Sequence, residues 1–204
     1  MSFNRKEEIL DAFIKLAVKN GIDNTTMKDI ADEVGISVGL IYVDYENKEE
    51  LIDAFEERIY RRFAERGSQI IAYEIPADQK MVLLLVGIAE TYSFEIRQNR
   101  GIYEFVSLDF IKYVKKKLRG KNLKLKKLMS EWITKIIDQG ITETIFFVDN
   151  TQKIAELLVD AFGMFLVAPE IMAREHEEVI GHASDMAQFL LRAITNPVNK
   201  VFFE

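Results

Sequence analysis

Apolar residues recur three and four positions apart along this chain, and each such run predicts an amphipathic helix. Ile9, Phe13, Leu16 and Ala17 share one face of a first helix over about Asn4 to Asn20, with Gly21 just past its end. A short second helix starts at Thr26, whose hydroxyl can accept from the backbone N–H of Asp29, and its apolar face is Ile30, Ala31 and Val34. The Asp29 carboxylate stands where the helix dipole favours it. Gly35 follows the last helical residue, where a left-handed backbone costs glycine nothing, and Ile36 seals the corner. Ser37 is expected to cap a third helix, with Val38, Gly39 and Leu40 on its first turn and Ile41 and Tyr45 facing inward. Two short helices joined by a tight turn containing glycine form a helix-turn-helix, whose second helix can enter a DNA major groove.

The same spacing continues beyond this motif. Asn47 and Glu50 have the arrangement of a capping box at the start of a fourth helix carrying Leu51, Ile52, Phe55 and Ile59, expected to run to about Glu65. Residues 67–76 read as a connection, and Pro76 with Asp78 opens the next helix. Its run MVLLLVGIA at 81–89 is apolar on every side, so it predicts the central buried helix of a second domain. Tyr103 to Leu118 reads as a further helix ended by Gly120. Leu123 to about Gly140 reads as another, with Leu128, Trp132, Ile136 and Ile137 inward. After an irregular link over Thr142 to Val148, Asp149 and Asn150 begin a longer helix with Ile154, Leu157, Leu158, Ala161, Phe162, Phe165 and Leu166, closed or kinked by Pro169. A last helix over about Glu175 to Ile194 offers Val179, Ala183, Met186, Ala187, Leu190 and Leu191.

Several spacings in the N-terminal part resemble those of TetR-family transcriptional regulators: Thr25-Thr26, Ile30-Ala31, Gly35-Ile36-Ser37, Gly39-Leu40-Ile41-Tyr42, Tyr45 and Lys48-Glu49. The resemblance is specific over about residues 5–60 and beyond them concerns length and helical pattern. It implies an all-α fold of about nine helices. An N-terminal three-helix DNA-binding domain is expected at residues 3–63, with its helix-turn-helix at about 26–45, and a helical ligand-binding and dimerisation domain at residues 64–204. The fourth helix would connect the two, so that a shift in the body swings the head.

The resemblance also assigns roles. Thr26 and Ser37 would place hydroxyls and N-terminal amides against DNA phosphates, with Tyr42 and Lys48 also on the backbone and Lys28 adding a phosphate contact. Capping alone accounts equally for Thr26 and Ser37, and packing is the alternative for Tyr42. Val38, Gly39, Leu40 and Val43 are left for base edges. The apolar ones suit thymine methyl groups and cannot form the bidentate hydrogen bonds that read guanine or adenine. Asp44 departs from the family pattern, and a carboxylate near phosphates repels. It is expected to point away or to cap a helix, as its place beside a turn favours.

In the family the last two long helices pair across a two-fold axis, which nominates Leu158, Phe162, Gly163, Ala183, Ala187 and Leu190 for dimerisation, with ordinary intrachain core as the alternative. A helical body also encloses small molecules. Tyr92, Phe105, Phe110, Trp132, Phe162 and Phe165 are candidate ligand-lining residues, with plain core the favoured alternative for each. An apolar lining favours a lipophilic or aromatic effector.

Composition adjusts this picture in three places. The chain of 204 residues is 49% hydrophobic, enough for a real core, and has no cysteine, which excludes disulfide and thiol chemistry. The N-terminus lacks a signal-peptide pattern and no run suffices for a membrane span, so a soluble cytoplasmic protein is expected. The net charge of −6 argues against a general nucleic-acid binder, and residues 1–50 hold six Lys or Arg against eleven Asp or Glu, so the proposed reading head is itself acidic. By contrast Lys112 to Lys127 holds nine Lys or Arg and no acid. A helix C-terminus and a solvated face account for this run, and an electropositive rim for an anionic ligand is the alternative.

Catalysis finds no support. His176 and His182 stand six residues apart, about 240° around a helix. HEEVIGH departs from the zinc-protease pattern because Ile180 occupies the place of the second histidine. No enzyme activity, cofactor or metal is expected. The expected partners are a double-stranded DNA operator, a small apolar effector and a second copy of the chain, with no membrane. The competing expectation is a ligand-binding or interaction protein that keeps the helix-turn-helix scaffold with weak or no operator binding, for which Asp44 and the acidic head speak.

Overall fold

The computed structural model describes residues 2–103, 119–166 and 168–195, and every regular element among them is helical. In chain order these are α1 (Ser2–Asn20), α2 (Met27–Val34), α3 (Val38–Asp44), α4 (Lys48–Ile71), α5 (Ala77–Gln98), α6 (Arg119–Thr142), α7 (Thr151–Phe162), a 3-10 turn (Gly163–Leu166), α8 (Ala168–Met172) and α9 (His176–Thr195). No helix among the described residues is long and apolar enough to cross a membrane. The expected helix over Tyr103 to Leu118 lies outside the described residues, apart from Tyr103 at its start.

The described residues fall into two compact units. One is drawn from Met1–Arg61 and Arg97–Tyr113, the other from Arg62–Ile96 and Val114–Glu204. In the first unit Ile9, Phe13, Ala17, Ile30, Ala31, Ile41, Leu51 and Phe55 are buried together, the apolar stripes of α1 to α4 turned inward. Residues 97–103 complete this unit. Ile102 is fully buried, Tyr103 meets the Phe55 ring edge-on at 5.9 Å, and the Gly101 backbone lies so close to α1 that a Cβ would stand 2.9 Å from the Ala17 carbonyl oxygen. That segment is remote in sequence from α1 and α4, with which it packs.

In the second unit the apolar run of α5 buries Met81, Leu84, Leu85, Ile88 and Ala89, with Trp132, Ile133, Ile136 and Ile137 of α6 and Ala183, Ala187 and Leu191 of α9 also in the core. Three boundaries differ from expectation. Helix α4 runs six residues past Glu65, through Gly67 to Ile71, so the connection shrinks to residues 72–76. Gly67 is helical because the buried Trp132 ring packs onto its backbone: a Cβ there would stand 2.2 Å from the ring. Gly120 lies within α6 and ends no helix. The long helix expected after Asn150 stops at Phe162 and tightens into the 3-10 turn, and Pro169 belongs to the first turn of α8, where a missing N–H costs nothing.

Candidate nucleic-acid interface

Helix α2 is fixed at both ends by its own sequence. The Thr26 hydroxyl accepts from the Asp29 N–H at 3.1 Å, and Asp29 accepts in return from the Thr26 N–H at 2.8 Å and its hydroxyl at 2.6 Å. These bonds from Thr26 hold the Asp29 carboxyl below the usual carboxylate range. Gly35 adopts φ 75° after the last turn, and the N–H groups of Gly35 and Ile36 both close onto the Ala31 carbonyl. The chain is thereby turned sharply into α3.

Helix α3 differs from expectation at its start. Ser37 occupies the N-cap position with extended backbone, yet its side chain makes no capping hydrogen bond. Its exposed hydroxyl is left for another partner, whereas that of Thr26 is already engaged as donor and acceptor. Ile41 is fully buried and Tyr45 nearly so, which anchors the inner face of α3, and the Tyr45 hydroxyl donates to the Lys6 carbonyl at 3.1 Å. Burial raises the Tyr45 pKa. On the outer face Leu40, Tyr42 and Val43 are exposed at 39%, 51% and 72%, a row of large side chains with no apolar cover. Gly39 and Lys28 are exposed and Val38 is half-buried. Lys48 is half-buried and donates to the Ile22 carbonyl at 2.8 Å, so its ammonium also ties α4 to the loop before α2.

The start of α4 matches the expected box with one change of partner. Asn47 accepts from the Glu50 N–H at 3.0 Å, but the Glu50 carboxylate accepts from the N–H of Glu46.

Asp44 neither caps a helix nor faces solvent. Its side chain is 5% exposed, and its carboxylate accepts from Arg5 Nε at 2.5 Å. The hydrogen bond from Arg5 holds the Asp44 carboxyl below its usual range despite the opposing effect of burial, and the same bond raises Arg5. Other acids of the head are also engaged within it. Arg58 binds Glu7 and Asp11 at 2.5 Å each, and Lys15 binds Glu33. The acid excess counted along the sequence therefore overstates the negative charge that the outer face of α3 presents.

The residues nominated for the body are dispersed. Trp132 is buried against Gly67, Phe162 and Phe165 pack on each other at 4.6 Å between centroids, and Tyr92 meets the Phe63 ring at 5.4 Å. None of these lines the described clefts, and Phe105 and Phe110 lie outside the described residues. An apolar cleft of about 320 Å³ is instead lined by residues that include Phe147, Val148, Ile154, Leu158 and Ile194. Among the dimerisation candidates, Leu158, Phe162, Ala183 and Ala187 are buried within the single chain. Leu190 and Gly163 are half-buried, and a Cβ at Gly163 would meet nothing. The exposed large apolar side chains on these elements are Leu157, Met164 and Phe189, the last at 69%, and sequence periodicity gave no signal for Phe189.

His176 pairs with Ser93 at 2.9 Å and His182 with Arg174 at 3.2 Å, so the two histidines have separate partners. No group of three or more His, Asp or Glu among the described residues could hold a metal ion. The side chains of the basic run are described from Lys124 onward. There Lys124, Lys126 and Lys127 are exposed, and Lys126 reaches Asp160 at 2.8 Å.

Comparison with known proteins agrees with this architecture. Residues 9–55 match the bacterial regulatory proteins of the tetR family. The fatty acid metabolism regulator protein of Bacillus subtilis (strain 168) is 32% identical over 79 residues, or 38% of this chain, which spans only 40% of that relative. The uncharacterized HTH-type transcriptional regulator YvkB of the same organism is 23% identical over 183 residues, 87% of this chain and 92% of that protein. The crystal structure of a transcriptional regulator from Cytophaga hutchinsonii ATCC 33406 superposes with a TM-score of 0.69 at 24% identity, covering 93% of this chain and 98% of that one. The helix-turn-helix lies in the segment that matches the tetR family and the helical fold is shared over nearly the whole length, which together support a TetR-family regulator.

Proposed function

We propose that this regulator is a homodimeric repressor that reads a near-palindromic DNA operator through α3 and is released from it by a small lipophilic or aromatic effector. The observation that carries this reading is the outer face of α3, where Leu40, Tyr42 and Val43 are exposed beside the unbonded Ser37 hydroxyl while Asp44 is withdrawn beneath them. Ser37, Tyr42, Lys28 and Lys48 serve the phosphates, and Val38, Gly39, Leu40 and Val43 the base edges. The hydroxyl of Thr26 serves as a cap, leaving its part to the N-terminal amides of α2. With no hydrogen-bonding side chain among its base-facing residues, α3 reads thymine methyl groups and groove shape more than guanine edges.

Residues 3–63, with residues 97–103 packed against them, serve as the reading domain, and the rest of 64–204 as the body. Exposed Phe189, Leu157 and Met164 support a self-association surface, since large apolar side chains left in water favour burial against a partner. Two copies would set their recognition helices about 34 to 36 Å apart, one turn of DNA. The apolar cleft beside Phe147 and Ile154 supports a lipophilic occupant. Effector and operator then share one linked equilibrium, in which the effector weakens DNA affinity by the factor by which DNA weakens effector affinity. The competing view, a scaffold without operator binding, drew on Asp44 and on the acidic head; Asp44 is held by Arg5, and Glu7, Asp11 and Glu33 are ion-paired within the head.

Titration of the purified protein against DNA from around its own gene, at several salt concentrations and beside Tyr42→Ala, tests this function. The wild type should bind one short near-palindrome tightly, and Tyr42→Ala should lose about tenfold in affinity at each salt, because one backbone contact per half-site disappears. Weak, sequence-indifferent binding by the wild type would defeat the proposal.

A further inference from the structure

Asp44 poses a problem that the proposed contacts do not solve. A carboxylate ends the helix assigned to DNA, yet it is nearly buried and held by a single nitrogen of Arg5, the Nε. Burying an unpaired carboxylate is costly, so an ion pair is required there, and lysine would have supplied it. Arginine differs from lysine in having five N–H donors fixed in one plane. Engaging Nε with Asp44 leaves the edge formed by the two Nη groups, and among the described residues nothing accepts from them. The Arg5 side chain keeps 29% of its exposure while that of Asp44 keeps 5%. The pair thus has an inner anionic end and an outer cationic end, next in sequence to Tyr42 and Val43, the most exposed large side chains of α3.

We propose that Arg5 is a DNA phosphate contact, and that Asp44 is the positioning residue that holds its guanidinium beside the recognition helix with the Nη edge outward. This rests on the DNA-binding function proposed above. The carboxylate that seemed to oppose DNA binding becomes part of a carboxylate–guanidinium–phosphate relay, in which a planar fork serves two anions on different edges. Fixing the arginine in advance also spares the entropy of ordering a long side chain when DNA arrives.

Binding of wild type, Arg5→Gln, Arg5→Lys and Asp44→Asn to the duplex that the wild type retains from a randomised pool, followed by fluorescence anisotropy from about 50 to 200 mM salt, tests this. Arg5→Gln should weaken binding about tenfold or more and lower the salt slope by roughly one per half-site, because one phosphate per half-site is no longer neutralised. Arg5→Lys keeps the charge and should retain the slope with part of the affinity. Asp44→Asn should bind several-fold more weakly with the slope retained, since the guanidinium remains but is no longer held. Tighter binding by Asp44→Asn would overturn the proposal, because it is what simple repulsion of phosphate predicts. So would an Arg5→Gln variant with a lowered melting temperature but unchanged affinity and slope, which would make the pair a structural tie alone. A wild type that retains no duplex defeats the DNA-binding function and this proposal together, whereas unchanged variants beside a binding wild type defeat only the latter.

Discussion

Val43→Glu should abolish most operator binding while leaving the melting curve unchanged. Val43 is 72% exposed on a helix whose anchoring is done by Ile41 and Tyr45, so replacing it removes no core contact. In the proposed complex the new carboxylate would meet the groove edge between two phosphate strands, where it replaces an apolar contact with repulsion and desolvation. A wrong contact at one base position costs about 1 to 3 kcal/mol, and a homodimer incurs it at both half-sites. The combined loss of about 3 kcal/mol or more corresponds to at least about a hundredfold in affinity. Electrophoretic mobility shifts against the wild-type operator, beside thermal melts of both proteins, measure it. Undiminished affinity would mean that the exposed face of α3 points away from DNA, and the contacts proposed for Leu40 and Tyr42 would then fail with it.

The second large effect is on stability, at Gly67. Alanine ordinarily stabilises a helix relative to glycine by about 1 kcal/mol. Here the added methyl would stand 2.2 to 2.6 Å from three atoms of the Trp132 ring, which is 4% exposed and has no open space to swing into. Overpacking of that kind costs about 1 to 3 kcal/mol and at times more. A net loss of about 2 kcal/mol should lower the melting temperature by about 4 to 8 °C in a chain of this size. In a Trp132→Leu background the clash is gone, so Gly67→Ala should there be neutral or stabilising, a coupling that a double-mutant cycle reads directly. If Gly67→Ala stabilised the otherwise unchanged protein, the close approach of Trp132 to α4 would be wrong.

Gly67 also shows where one-dimensional pattern misleads. Beside Ser68 it reads as the start of a linker, because an isolated glycine weakens a helix. Only a ring donated from position 132, packed against that backbone, reveals that the glycine allows the helix to continue. Asp44 turns away from the outer face of α3 as expected, but what holds it there is not legible along the chain. Its neighbours favour a turn or cap, and the residue that engages it lies 39 positions earlier, on another helix. Ser37 resembles a cap in sequence, yet the rotation of its hydroxyl was not fixed by local chemistry.

The sequence by itself determined the features whose causes lie within a few residues. These are the capping box of Thr26 and Asp29, the left-handed Gly35, the inward pair Ile41 and Tyr45, the cap at Asn150 and the buried run of α5. Hydrogen bonds and apolar periodicity over one or two turns suffice for each, and together they specify a helical fold with a helix-turn-helix near its start. Tertiary structure alone decided which apolar residues stay outside. Leu158, Ala183 and Ala187 satisfy the same periodicity as a dimer stripe but are covered by their own chain, while Phe189 remains exposed. It also decided how the acids of the head are engaged, because Arg5, Arg58 and Lys15 meet theirs across 18 to 51 residues of sequence. Burial and ion pairing depend on what folds back against a residue, and a period read along the chain carries no record of that.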